Sequence, residues 1–148
     1  MLIVFPIGLW VFSLVSDVIY LNKWGPAVWS DVAFYTMAGG IVGALLAAIP
    51  GLIDLVSMTD SRVKRIGIWH MVVNLVVVVL FCVNLWLRMP NTTTSLSIKP
   101  VWLSVAGVIL LCIAGWLGGQ MVYVHGVAVE RQPLLDKPVR PSETRRVA

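Results

Sequence analysis

Apolar residues along the chain gather into four long runs, roughly residues 2–20, 32–56, 67–87 and 101–124, with short polar stretches between them. Each run has about the 20 residues that a helix needs to cross a hydrocarbon core of about 30 Å. The pattern therefore predicts four transmembrane helices, an all-α integral membrane bundle with no periodicity that suggests strands. The first run is read as a helix of the mature protein. It lacks the basic residues that open a signal peptide, and no small-x-small cleavage site follows it.

Helical periodicity sorts the polar residues onto faces. The first helix aligns Pro6, Ser13, Asp17 and Tyr20; the second aligns Thr36, Gly40, Gly43, Ala47 and Asp54. The third aligns His70, Asn74, Val77, Phe81 and Asn84, and the fourth Ser104, Leu111, Gly115, Gly118 and Val122 with His125 at the edge. In lipid such faces must turn toward protein. By depth they form two layers. One holds Asp17, Thr36, Asn84 and Ser104; the other holds Asp54, His70, Asn74, Gln120, Tyr123 and His125. Pro50 should kink the second helix, because it leaves the Leu46 carbonyl without an N–H partner.

Composition agrees. Of 148 residues, 59% are hydrophobic and only 12% charged, too few charges to give a soluble domain its skin. The net charge of +4 does not point to nucleic acid, because the basic residues sit in the short segments between runs. Arg62, Lys64 and Arg65 lie between the second and third runs, and Arg131, Lys137, Arg140, Arg145 and Arg146 lie in the tail. The other loops offer Lys23, Arg88 and Lys99. The positive-inside rule then places both termini in the cytoplasm. Trp24, Trp29, Trp86 and Trp102 mark the outer interface and Trp69 the inner one. The domain is expected over residues 1–129, with 130–148 a basic, disordered cytoplasmic tail. Asn91-Thr92-Thr93 is a glycosylation sequon in form only. Cys82 and Cys112 lie inside apolar runs and read as small hydrophobes.

Several groups are candidates for chemistry. His70 and His125 sit at similar depth on the third and fourth helices, an arrangement suited to axial ligation of a b-type haem, or to polar contacts that lock the bundle. Asp54 and His70 flank one short loop and are placed to pair. Asp17 with Asn84 reads as a structural hydrogen bond, and Asn74 and Gln120 as polar-layer residues. Few ionisable residues lie between the layers, which argues against a proton relay. Gly39, Gly43, Ala47 and Gly51 recur every four residues, beside Gly40 and Ala44. Such small-residue runs let another helix approach closely, so part of this surface is expected to dock another membrane subunit or a second copy. No metal-ligand spacing, Ser-His-Asp set or phosphate loop is present in the sequence, so neither a metal nor an enzyme is expected.

The segments "LIVFPIGLWVFSLVSDVIY", "AAIPGLIDL" and "GWLGGQMVYVHGVAV", with the His70-x-x-x-Asn74 pair, together resemble the bacterial membrane proteins of the domain of unknown function 2231 family. The resemblance runs over nearly the whole chain before the tail and implies fold and location, without an activity. Family members carry a His-Pro-rich stretch before the first helix, whereas this sequence opens on "MLIVFPIGLW", which suggests a start upstream of Met1. Some relatives are fused to Rieske iron–sulfur domains, which implies redox surroundings. The functional expectation is a small accessory or structural subunit, without a cofactor, in a larger assembly of the bacterial inner membrane, a respiratory or photosynthetic redox complex among the candidates. Its partners are then lipid, other subunits or a second copy. A haem b electron carrier using His70 and His125 is the alternative. A small channel or transporter comes third, lacking a midplane charge and inverted repeats.

Overall fold

The computed structural model describes residues 2–89 and 99–127 of the chain. Four helices follow one another: α1 Val4–Leu21, α2 Val28–Ser57, α3 Ser61–Leu87 and α4 Lys99–Tyr123. All four are long and apolar enough to span a membrane. A helix is the economical spanning form, since it satisfies its backbone donors and acceptors within itself.

Two helices begin well before the point that hydrophobicity alone predicts, and Asp60 explains one of them. Its carboxylate accepts from the backbone N–H groups of Arg62 at 2.8 Å and Val63 at 3.4 Å, capping α3. The basic segment 61–66, a loop by hydropathy, is thereby the first turns of the helix. These two hydrogen bonds, above all the one from Arg62, hold the Asp60 carboxyl below its ordinary range. The other is α2, which starts at Val28 and runs on through Pro50 to Ser57. Its 30 residues make it about 45 Å long, more than the hydrocarbon core, so its ends project. The uncharged stretch 32–53 between Asp31 and Asp54 alone covers about 33 Å.

The helices pack as two antiparallel hairpins, α1 with α2 and α3 with α4, joined by smaller α2–α3 and α1–α4 contacts. Across the diagonal, α1 reaches α3. Trp10 stacks on Phe81 with ring centroids 4.4 Å apart and planes 8° from parallel. With Met37, Val77 and Leu111 they form the core. Two glycines make room for the stack. A Cβ on Gly40 would stand 2.5 Å from the Trp10 ring, and one on Gly107 would stand 2.7 Å from Phe81. Trp10 also donates its indole N–H to the Met37 carbonyl at 3.2 Å, so its polar edge is satisfied in an apolar centre. Ser13 adds an interhelical bond to the Ala33 carbonyl at 2.7 Å.

The predicted faces of α1 and α3 hold: Pro6, Ser13, Asp17, Val77, Phe81 and Asn84 are all buried. Those of α2 and α4 are buried only at Gly40, Ser104 and Leu111. The buried line on α2 is Ala33, Met37 and Gly40, and on α4 Ser104, Gly107, Leu111 and Ala114, while Gly115 is exposed. Small residues are the guide on these two helices, and a small residue suits an interface without fixing which neighbour it faces.

Candidate functional site

The polar groups of the first layer converge at the end of the bundle where α1 and α3 finish. Arg88, the residue after α3, turns back into the bundle. Its Nη1 and Nη2 donate to the two carboxylate oxygens of Asp17 at 2.6 and 2.7 Å, a bidentate fork, with side-chain exposures of 7% and 2%. The Arg88 Nε donates to Asn84 Oδ1 at 2.9 Å, and Asn84 Nδ2 donates to Ser104 Oγ at 2.8 Å. Three helices thus share one closed network. No buried side-chain polar atom is left without a partner among the described residues. Arg88 also lies at the C-terminus of α3, where the helix dipole favours a cation.

This corrects the expectation for Asp17. Instead of bonding Asn84 directly, it meets Arg88, which stands between the two and holds both. Arg88 is a cluster residue, not a loop residue that merely orients the chain. The signal was available: a lone carboxylate within an apolar run needs a counter-charge, and Arg88 lies four residues after Asn84, on the same face. Thr36, expected in this layer, bonds the Val32 carbonyl of its own helix at 2.6 Å instead.

The second layer is smaller than expected. His70 Nδ1 lies 2.9 Å from the Ala114 carbonyl, and Asn74 Nδ2 lies 3.2 Å from His70 Nε2 and donates to the His70 carbonyl at 2.8 Å. A carbonyl can only accept, so Nδ1 carries the proton and Nε2 receives from the amide, which fixes one neutral tautomer. Helix α4 closes on the ring: a Cβ on Gly118 would stand 3.2 Å from His70 Cε1. Nδ1–H on a carbonyl leaves Nε2, which faces the Asn74 amide at 3.2 Å, as the nitrogen that axial ligation of a haem would use. His125 is exposed beyond α4 and lies within electrostatic reach of Asp60. Asp54 is exposed and does not pair with His70; its neighbour Leu55 is the residue that turns inward, against Gly67 of α3. Tyr123 is exposed, and the Gln120 side chain is half-buried with no hydrogen bond among the described residues.

Between the two polar groups lies the Trp10–Phe81 core, so an apolar plug separates them. The small-residue row of α2 is divided. A Cβ on Gly39 would stand 3.4 Å from Leu9, and one on Gly43 would stand 3.4 Å from Pro6, whereas one on Gly51 would meet nothing within 4 Å. Gly39 and Gly43 are therefore spent on the α1–α2 contact, and the expected docking surface loses its centre. Ala47 is half-buried. Cys82 and Cys112 are free and exposed, and no group of metal-ligating side chains occurs among the described residues. The tail 130–148, its basic residues, the Asn91 sequon and the Lys99 side chain lie outside the described residues.

Comparison with known families finds a match over residues 1–131 to a family described as a predicted membrane protein, DUF2231. No curated protein and no solved structure matches the chain.

Proposed function

Since the chain belongs to the DUF2231 family of predicted membrane proteins, we propose that it serves as a small accessory or structural subunit of a larger assembly in the bacterial inner membrane, with both termini cytoplasmic. One observation carries this reading: the buried polar side chains of the described bundle are turned inward and satisfied. Arg88 meets Asp17, Asn84 meets Ser104, and His70 meets Ala114 and Asn74. What the bundle offers outward is apolar side chains along each helix, Phe5, Leu45, Val79 and Trp116 among them. Groups that hold helices together leave little for substrate or ion, and the apolar plug favours a scaffold over a channel. On the family resemblance, the host we favour is a redox complex.

The test is extraction from native membranes in a mild detergent, with cross-linking and native electrophoresis. The expected result is migration in a larger complex and cross-links to a second membrane protein. Migration as a monomer under every mild condition, with no such cross-link, overturns the reading. Low-spin b-type absorbance from haem-replete protein, lost in His70→Gln, supports the haem alternative instead.

A further inference from the structure

The first two turns of α3 carry three cations where a helix least favours them. Arg62, Lys64 and Arg65 lie at its N-terminus, the positive end of the dipole, and Arg62 and Arg65 are like charges three residues apart. None has a carboxylate partner among the described residues, where the only ion pair joins Arg88 to Asp17. Asp60 is the nearest acid; its Oδ1 is bound to backbone N–H groups, and its charge acts on Arg62 without forming an ion pair. The terminal amides are therefore capped, and charge that no ion pair meets remains on Lys64 and Arg65 and in part on Arg62.

Those side chains have a definite face. Arg62, Arg65 and Trp69 stand at i, i+3 and i+7, so they line one stripe, and all are exposed. Trp69, 60% exposed, lies about 6 Å deeper than Arg65, and Val72 and Val76 continue the stripe, exposed, toward the middle of the span. Lys64 points elsewhere and is half-buried. Charge, then indole, then aliphatic surface is the order a phospholipid presents from headgroup to acyl chain.

We propose that this stripe is a binding site for an anionic phospholipid, whose phosphate sits between the guanidinium groups of Arg62 and Arg65. Trp69 packs at the interface beneath it, and an acyl chain runs along Val72 and Val76. Arginine suits this role because its planar fork matches phosphate geometry.

The full chain in detergent micelles is titrated with phosphatidylglycerol and with phosphatidylcholine, and bound lipid is read by native mass spectrometry. Phosphatidylglycerol should bind more tightly. Arg62→Gln or Arg65→Gln should each weaken it about fivefold, and the double variant roughly 25-fold, as expected from the attraction of one or two basic side chains to an anionic headgroup. Lys64→Gln, which removes the same charge off the stripe, should change it by less than about twofold, and circular dichroism should show all variants equally helical. Equal affinity for the two lipids overturns the proposal, as it would if an acidic protein segment were the partner of these arginines. An equal loss in Lys64→Gln and the arginine variants also overturns it, since diffuse charge would then suffice.

Discussion

At the scale of single residues, Arg88 and Asp17 decide how the bundle closes. Two charges in an apolar surround are costly, and the cost is offset only where each is fully met. Here the fork is bidentate and Asn84 takes the remaining Nε–H, so neither charge is left bare. Removing one partner strands the other. Arg88→Ala should therefore destabilise the protein by about 3–5 kcal/mol, and Asp17→Ala by a similar amount. The double change Asp17→Leu with Arg88→Met should cost less than either single change, because no charge then remains to be desolvated. Denaturant unfolding of purified protein in micelles, run as a double-mutant cycle, measures this. Single variants within about 0.5 kcal/mol of the parent would mean that water reaches the pair and screens it. The pair was half-legible in the sequence. Asp17 announced a polar contact from inside an apolar run, but its partner is 71 residues away and sits where a loop residue would sit. Hydropathy cannot tell an arginine that leaves the membrane from one that folds back into it.

At the scale of elements, close approach at two glycines sets the spacing of the hairpins around the Trp10–Phe81 stack. Gly40→Ala and Gly107→Ala each drive a methyl into a ring that is itself pinned by the other, an overpacking that should cost about 1–3 kcal/mol. Gly51→Ala and Gly115→Ala meet open space, so helix propensity alone acts, and each should be neutral or stabilising by up to about 1 kcal/mol. Thermal unfolding in micelles separates the pairs; equal effects at all four positions would deny that the stack sets the spacing. The same contrast shows what periodicity reveals about helices in lipid. Where a face carried polar residues, as on α1 and α3, its direction was legible, because lipid excludes those groups. Where it rested on glycine and alanine, as along much of α2 and α4, it was legible only in part, at Gly40, Ser104 and Leu111, because both lipid and protein accept small residues. The start of α3 escapes hydropathy for a different reason: Asp60 caps a basic segment whose composition is that of a loop.

For the whole molecule, charge and length together locate the bilayer. The uncharged stretches 32–53 and 66–87 each cover about 33 Å, and they run antiparallel, so one slab fits both. Arg88 then marks one margin and Arg65 the other. Which margin faces the cytoplasm depends on the basic residues outside the slab, and Arg62, Lys64 and Arg65 with the five of the tail outnumber Lys23, Arg88 and Lys99. The margin at Arg65 should therefore be cytoplasmic. Single cysteines replacing Thr93 and Ser142, in a background with Cys82 and Cys112 changed to alanine, test it with a membrane-impermeant maleimide. Thr93→Cys should react in intact cells, and Ser142→Cys only after permeabilisation. Reaction of both in intact cells would overturn cytoplasmic termini, and the reverse order would show that the lysine and arginine bias does not orient this chain and would move the Arg62–Arg65–Trp69 stripe to the opposite leaflet.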